Sequence, residues 1–207
     1  MKCYQAMKLA AAAGAVLMLN GCSSFSWSSL SPVSWFSSSG LTVTAQGVGG
    51  VNNQTAMTET AISQGLDDKY TLRGGMQTEQ GQIVKIFEGR KDDKTVIRLS
   101  GPENGTVQRI VANDADIRTE WDTKTGTLFS DIYPQAVAGA CTLTTEFDDS
   151  AQVICRSPQT PRVSYVFRGT WNGPETLMPS DDILKNWTVR YIVWANKESV
   201  KINELAE

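Results

Sequence analysis

The sequence predicts an α+β protein in which a mostly antiparallel β-sheet packs against two or three short helices. Two observations predict this fold class: segments rich in β-branched residues follow one another across short turn clusters, and a stretch near residue 60 has helical periodicity. A third observation, a short apolar run followed by a cysteine, places an export signal before the domain. The predicted organisation is a lipoprotein signal peptide that is removed (1–21), a lipidated, flexible Ser/Trp-rich linker (22–40), one globular domain (41–196) and a polar C-terminal tail (197–207).

The N-terminal segment predicts a lipid anchor. Lys2 and Lys8 flank the start of an apolar run of about ten residues, which is the length of a secretory signal and too short to span a membrane. The motif LNGC at residues 19–22 matches a bacterial lipobox, in which the signal is cut before the cysteine and both the thiol and the new amine are acylated. We expect diacylglycerol and an N-acyl chain on Cys22 and no other cofactor. The alternative is an ordinary signal peptide beside an incidental cysteine.

The residue after the lipobox cysteine predicts the membrane. In enteric bacteria an aspartate at this position is the usual signal for retention in the inner membrane, so Ser23 favours the outer membrane, with the domain facing the periplasm. The linker that follows is rich in serine and carries no charge, which is typical of a flexible segment. Its aromatic residues either lie at the level of the lipid headgroups or dock on the domain: Phe25, Trp27, Trp35 and Phe36.

The four cysteines predict one disulfide. Cys3 leaves with the signal and Cys22 carries lipid, so Cys141 and Cys155 remain as the pair in an oxidising compartment. Closing this loop of about fifteen residues would stabilise the fold by roughly 3 kcal/mol. The alternative, a redox or metal pair, lacks a CxxC motif and a second set of ligands, and the chain contains no histidine.

The charge balance disfavours nucleic acid as a partner. The chain has 19 Lys and Arg against 22 Asp and Glu, and loss of Lys2 and Lys8 with the signal changes the net charge from −3 to −5. An acidic surface repels phosphate backbones and anionic lipid. The basic residues Arg90, Lys91 and Lys94 alternate with acids and predict a solvated turn.

Beyond the linker, short strands joined by tight turns are predicted. The candidate strands are residues 41–47, 82–88, 95–99, 107–112, 141–145, 152–156, 163–167 and 187–193. Their close spacing predicts antiparallel pairing, because parallel neighbours need long crossovers. In the last two strands apolar residues alternate with more polar ones, which predicts half-buried strands with these residues on one face: Val163, Tyr165 and Phe167, and Trp187, Val189, Tyr191 and Val193.

Three helices are predicted between these strands. In residues 55–66 one helical stripe is formed by Met57, Ala61, Ile62, Gly65 and Leu66. A second helix, capped by Thr127, is broken after one or two turns by Pro134. A third begins after Ser180 as N-cap, and Asp181 and Asp182 in its first turn are interpreted as capping acids in preference to metal ligands or catalytic acids.

No catalytic motif is present in the sequence. There is no GxSxG, SxxK, HExxH or phosphate loop, and without histidine a nucleophile would need a lysine or a carboxylate as its base. Residues 113–116 (NDAD) lack the glycine and the distal glutamate of a calcium loop, so no metal site is predicted. We therefore expect a protein that is not an enzyme.

Motifs along nearly the whole chain resemble those of the RpoE-regulated lipoprotein family of enteric bacteria. They are the lipobox, the Ser/Trp linker, GLDDKYTLRGG with the strand GQIVKIFEG, GTLFSDIY, the Cys141 and Cys155 pair and, most specifically, WNGPETLMPSDDILKNW. The resemblance implies an outer-membrane lipoprotein made under envelope stress, with no catalytic residue to carry over. Pro134 and the tail at 196–207 depart from the family pattern.

The sequence thus predicts a binding or accessory module of the envelope, attached to outer-membrane lipid through Cys22, whose partner is an unidentified envelope protein or glycan. Gly173, Pro174 and Pro179 stiffen a long connection, which suits recognition. The predicted binding surface consists of Trp171, Glu175, Leu177 and Met178. The alternative is that this loop covers a sheet edge. Alternative functions are a lipid-tethered inhibitor of a basic enzyme such as lysozyme, which the acidic charge favours, and a histidine-free hydrolase.

Overall fold

A large antiparallel β-sheet organises the protein, whose computed structural model describes residues 40–79, 81–136, 140–147 and 152–197. The strands are β1 (Thr42–Val43), β2 (Gly47–Val48), β3 (Val51–Asn52), β4 (Thr71–Glu79), β5 (Gln82–Lys91), β6 (Lys94–Gly101), β7 (Arg109–Ala112), β8 (Arg118–Thr119), β9 (Cys141–Thr144), β10 (Gln152–Arg156), β11 (Val163–Arg168) and β12 (Thr188–Ala195). The helices are α1 (Glu59–Gly65), α2 (Phe129–Ile132) and α3 (Asp181–Leu184).

The large sheet has eight strands in the order β4-β5-β6-β7-β12-β11-β10-β9. Every neighbouring pair in it is antiparallel. A small sheet has the order β3-β2-β1-β8, in which β1 and β8 are parallel. The mostly antiparallel sheet with short helices confirms the predicted α+β class.

Tight turns set the register of the first hairpins. Asp92 and Asp93, between β5 and β6, have φ of 49° and 61°, which is the left-handed geometry of a two-residue hairpin turn that aspartate tolerates. Gly81 supplies the same kind of conformation between β4 and β5, with φ 76°. The predicted turn at residues 91–94 is confirmed.

The main core covers one face of the large sheet, where side chains from the small sheet and the three helices meet it. Its largest fully buried members are Trp187, Trp194, Tyr165, Phe129, Phe167, Met57, Ile62 and Leu66. Burying an apolar side chain of this size stabilises the fold by roughly 1.5–3 kcal/mol. The indole Nε1 of Trp194 also donates to the carbonyl of Ala45 at 3.2 Å, which ties the large sheet to the segment between β1 and β2.

A second, smaller cluster covers part of the opposite face. Ile154, Val166 and Val193 are buried there, and Phe147 stacks on Tyr191 with ring centroids 5.2 Å apart. As a result β11 is buried on both faces, with Ser164 and Val166 as inaccessible as their neighbours. The prediction of a half-buried β11 is therefore wrong.

The predicted alternation of β12 is interrupted by a β-bulge. Val166 pairs with Tyr191 but Phe167 pairs with Val189, so Arg190 is an extra residue without a cross-strand partner. Because of this extra residue, the side chains after the bulge face the opposite sides of the sheet from those that strict alternation predicts. Trp187 and Val189 lie in the main core as predicted, but Tyr191 and Val193 lie on the opposite face, and their places in the core are taken by Ile192 and Trp194.

Helix α1 is shorter than the predicted 55–66. It begins at Glu59, with the Thr58 side chain accepting from the backbone N–H of Ala61 at 3.4 Å. The preceding residues are not helical because Ala56 forms a β-bridge with Thr106, and next to it the N–H of Val107 donates to the carbonyl of Thr55 at 2.9 Å. The predicted apolar stripe still holds, since Met57, Ile62 and Leu66 are buried.

The two later helices have different caps from those predicted. The N-cap of α2 is Leu128, because Thr127 turns its hydroxyl to the N–H of Lys124 at 3.1 Å; the helix ends at Ile132, before Pro134 as expected. The N-cap of α3 is Ser180, but its side chain makes no capping hydrogen bond. Asp181 and Asp182 do lie in the first turn of α3.

In the N-terminal half of the domain one strand prediction is wrong and one strand, β4, has no predicted counterpart. Residues 41–47 do not form one strand; they contain the two-residue β1 and the first residue of β2. Strand β4 was not expected, because Gly74 and Gly75 interrupt its pattern and most of its side chains are exposed.

Candidate functional site

The loop between β11 and α3, residues 169–180, carries the predicted binding surface. It is held in place by its own hydrogen bonds: Trp171 Nε1 donates to the carbonyl of Pro174 at 2.9 Å, and the N–H of Leu177 donates to the same carbonyl at 3.1 Å. The first end of the loop is fixed by Gly169, whose position leaves no room for a Cβ beside the buried Trp187 ring. The loop therefore has a defined shape at low additional ordering cost.

The four predicted binding residues do not share one role. Leu177 is 57% exposed, and Glu175 is also exposed to solvent. Trp171 and Met178 are half-buried and pack against the main core. The loop thus covers part of the core with Trp171 and Met178 and presents Glu175 and Leu177 outward.

The predicted disulfide is present and clasps a hairpin. Cys141 on β9 and Cys155 on β10 are directly opposed residues of the two strands, with Cα atoms 4.0 Å apart and a separation of 14 residues. Cys155 is fully buried and belongs to the main core, which makes the bridge a packing element as well as a cross-link. The acidic turn at Asp148 and Asp149 lies outside the described residues.

A second surface, which the sequence did not predict, lies on the hairpin of β4 and β5. An open cleft of about 480 Å³ is lined there by Thr58, Glu59, Gly74, Gly75, Met76, Lys85 and Phe87. We call this region the hairpin cleft. The floor of the cleft is the core-facing side of the sheet, because Gly74 pairs with Phe87, whose side chain is buried in the core. Met76 and Lys85, which also pair with each other, lie on the same face.

The hairpin cleft exposes apolar side chains beyond the edge of the core. Met76 is 51% exposed, and Ile83, on the same face of the hairpin, is 72% exposed. Lys85 places its ammonium 5.3 Å from the centre of the Phe87 ring. A positive charge therefore lies next to the exposed apolar side chains, on the side nearer the core. Leu72 and Met76 are apolar residues on the same face of β4, and this spacing is the sequence signal for the strand. The signal is weak because Gly74 and Gly75 lie between them.

A cluster of charged residues surrounds the end of the turn between β5 and β6. Lys91 Nζ lies 2.5 Å from Asp116 Oδ2 and 3.7 Å from Asp114 Oδ1, and Tyr70 donates its hydroxyl hydrogen to Asp114 Oδ2 at 2.9 Å. The hydrogen bond to Lys91 lowers the pKa of the Asp116 carboxyl. Burial, and then the hydrogen bond to Asp114, raise the pKa of Tyr70. The cluster satisfies its own charges, and the lysine ammonium occupies the position between the two aspartates of the NDAD segment.

Clustered metal ligands and membrane-spanning helices are both absent from the described residues. Within residues 40–79, 81–136, 140–147 and 152–197, no three His, Cys, Asp or Glu side chains converge as metal ligands. No helix in that part of the chain is both long and apolar enough to cross a membrane. The predicted lipidation site Cys22 and the linker aromatics lie outside the described residues, as does the tail after Lys197.

Fold and surfaces together define a disulfide-clasped antiparallel α+β domain whose most exposed large apolar side chains, among the described residues, lie on a hairpin and on one structured loop. Residues 24–196 match the family model described as "Protein of unknown function (DUF1131)", and the chain belongs to this family.

A relative from Escherichia coli (strain K12), named "Uncharacterized protein YfeY", is 44% identical over 181 residues, which cover 86% of this chain and 93% of that protein. The crystal structure of the uncharacterized protein YfeY from Escherichia coli is similar in fold, with a TM-score of 0.67 and 42% identity over 74% of this chain and 99% of that chain. The family relationship predicted from the motifs is thereby confirmed.

Proposed function

We propose that this protein is a lipid-anchored, non-enzymatic accessory of the bacterial outer membrane that binds an envelope protein or glycan through the loop between β11 and α3. The observation that carries the binding part is the arrangement of that loop: Trp171 and Met178 fix it to the core while Leu177 stands 57% exposed beside the exposed Glu175. A fixed loop with an exposed apolar side chain and an adjacent charge is suited to recognition. The proposal includes a role under envelope stress, and the family resemblance supports this part.

The anchor rests on the motif LNGC at residues 19–22. Acylated Cys22 would supply the attachment to outer-membrane lipid, since each buried methylene contributes about 0.8 kcal/mol. Ser23 supports outer-membrane sorting, so Ser23→Asp is expected to move the protein to the inner-membrane fraction. Separation of the two membranes on a density gradient measures this, and an unchanged distribution would contradict the sorting part of the proposal.

A non-catalytic role is supported by the state of the titratable groups. The buried carboxylate of Asp114 is already engaged by Tyr70 and lies near Lys91, and Asp116 is paired with the same lysine. A general acid or base needs a free proton or lone pair directed at a substrate. The charges of this cluster instead satisfy one another, as in a structural network.

The test is site-specific crosslinking in intact cells. A photo-reactive residue at Leu177 should give a discrete product with an envelope component, whereas the same residue at Leu128, an apolar side chain 39% exposed elsewhere, should not. Mass spectrometry identifies the partner as protein or glycan. When the photo-reactive residue is placed at a neighbouring position of the loop, the double change Glu175→Ala/Leu177→Ala should lower the yield of crosslinked product without lowering the melting temperature. Glu103→Ala, a change at an exposed residue elsewhere, is the control. Equal products from both leucine positions would remove the loop as the site.

A second candidate, a tethered inhibitor of a basic enzyme such as lysozyme, is supported by the acidic character of the chain and by the exposed acids Glu175 and Asp182 on or next to the loop. Near-stoichiometric inhibition of lysozyme that weakens with added salt would favour this function over the broader one. No inhibition at a tenfold excess would discard it.

A further inference from the structure

Strand β4 is an outer strand of the large sheet, and its free edge is unusually open. Its nine residues pair with β5 without a bulge, and nearly all of them are exposed. Edge strands of natural proteins are commonly protected against pairing by proline, by lysine, by a bulge or by short length. The segment TLRGGMQTE contains no proline and no lysine. A long row of backbone donors and acceptors is therefore available for another strand.

Strand β4 carries one positive and one negative side chain on the same face. Arg73 and Glu79 are its only charged residues, and they lie six positions apart, hence on the same face of the sheet. Glu79 is held on that face by the Ser100 hydroxyl, which donates to Oε2 at 3.0 Å. Arg73 is exposed and makes no hydrogen bond or ion pair within the described part of the chain. Its guanidinium has donors available to a carboxylate from another molecule.

From this we infer that the free edge of β4 binds the β4 edge of a second copy of this chain, antiparallel and centred on Met76. In that register Arg73 of each copy stands opposite Glu79 of the other, so two ion pairs form on one face. Met76, which is 51% exposed, meets Met76 of the second copy on the opposite face. Directly opposed residues of antiparallel strands have Cβ atoms about 4.5–5.5 Å apart, close enough for both contacts.

The pairing also involves residues that line the hairpin cleft. Met76 lines the cleft, and Gly74, which lines it too, would stand opposite Thr78 of the second copy. Ile83 on β5, 72% exposed, pairs with Thr78 and therefore stays separated from the new strand by β4. The same contact would therefore bury the exposed Met76 of both copies, in addition to pairing the edge. This inference does not depend on the proposed function of the β11–α3 loop.

The register can be tested by cysteine crosslinking of the full chain in the cells that produce it. Met76→Cys should form a reducible dimer, because the two copies of this residue face each other across the two-fold axis. Thr71→Cys is the matched control on the same strand: its two copies would lie about ten residues apart along the pair, or roughly 33 Å. Equal dimer from both variants, or none from Met76→Cys, would overturn the inference.

The ion pairs can be tested by charge reversal, read by sedimentation of the full chain in detergent. Arg73→Glu alone and Glu79→Arg alone should each be monomeric, since each places like charges opposite one another. A mixture of the two variants should dimerise, because in the mixed pair both contacts are again between opposite charges. Melting temperatures near that of the native chain establish that both variants are folded. Failure of the mixture to recover the dimer, or persistence of the dimer in Arg73→Glu, would show that the pairing is wrong.

Discussion

The hydroxyl of Tyr70 donates a hydrogen bond of 2.9 Å to the buried carboxylate of Asp114, which lies 44 residues further along the chain. The other carboxylate oxygen of Asp114 accepts from the backbone N–H of Asp116 at 3.0 Å and lies 3.7 Å from Lys91 Nζ. One aspartate thus joins the segment after α1, the β5–β6 turn and the loop after β7.

Replacement of Asp114 by alanine should destabilise the domain. The change leaves the Tyr70 hydroxyl without its acceptor in a largely buried site, and an unsatisfied buried polar group costs roughly 1–3 kcal/mol. Tyr70→Phe removes the donor without creating an orphan acceptor, because Asp114 keeps its bond from the Asp116 N–H. Urea unfolding should therefore show a larger loss for Asp114→Ala than for Tyr70→Phe. The reverse order would mean that the tyrosine ring, and not the carboxylate, maintains the site.

The stability of the domain should depend on pH through Asp116 and Lys91. The hydrogen bond to Lys91 lowers the pKa of Asp116, so the stabilisation from this pair is present above the unfolded value of about 4 and is lost as the pH falls through the lowered folded value. The hydrogen bond to Asp116 raises the pKa of Lys91, so at the alkaline side the stabilisation is lost as the pH rises through that raised value. Asp116→Asn should flatten the acid limb of the stability curve. An acid limb identical to that of the native chain would assign the dependence to other carboxylates.

Loss of the disulfide should cost the domain roughly 3 kcal/mol, the value expected for closing a loop of this length in the unfolded chain. For a domain of this size that corresponds to a fall in melting temperature of about 6–12 °C. The double variant Cys141→Ala/Cys155→Ala should retain the β9–β10 pairing, because the backbone ladder of the hairpin also holds these strands together. Calorimetry of this variant and of the reduced native chain should agree. A change of less than about 1 kcal/mol would show that the hairpin is already closed in the unfolded ensemble.

Seven of the eight strands of the large sheet, and the disulfide, were predictable because their signals are local. β-Branched runs, tight turns and an isolated cysteine pair in a chain that is predicted to be exported each have one simple structural solution. The reversal within β12 was not predictable, because a bulge at Arg190 is decided by the partner strand and leaves no mark in the alternation of one strand. Strand β4 was missed for a related reason: with both faces largely exposed, it has no buried face to impose a pattern.

The candidate surfaces were predictable only in part. The glycine and prolines of the β11–α3 loop indicated a structured connection, but which side chains point outward depends on packing against the core. Met178 turns inward and Leu177 outward, although the two are neighbours in sequence and similar in hydrophobicity. The hairpin cleft depends on where α1 begins beside the sheet, which only the assembled fold determines.

Gly169→Ala should destabilise the domain more than most single changes. A Cβ built at this position lies 2.1 Å from Trp187 Cδ1, and Trp187 is only 2% exposed, so the ring cannot move into solvent without opening the core. Overpacking of this kind costs roughly 1–3 kcal/mol. Gly75→Ala is the matched control, because its Cβ meets the nearest side-chain atom of Ile86 at an ordinary 3.6 Å. Urea unfolding should place the control within about 0.5 kcal/mol of the native chain. Equal losses for the two variants would mean that the clash at Trp187 is relieved by a shift of the loop.

Cys22→Ser should abolish lipid attachment and processing at the lipobox, because the thiol that receives diacylglycerol is lost and cleavage before residue 22 requires the modified cysteine. The native chain should have the mass of residues 22–207 increased by a diacylglycerol group and one further acyl chain, and it should partition into the detergent phase. Cys3→Ser is the matched control: it removes a thiol from the signal segment and should leave mass and partitioning unchanged. Intact-mass spectrometry and phase separation measure both properties. A native chain whose N-terminal residue is unmodified, or begins anywhere other than Cys22, would contradict the lipid anchor, and the outer-membrane role proposed for this protein would lose its basis.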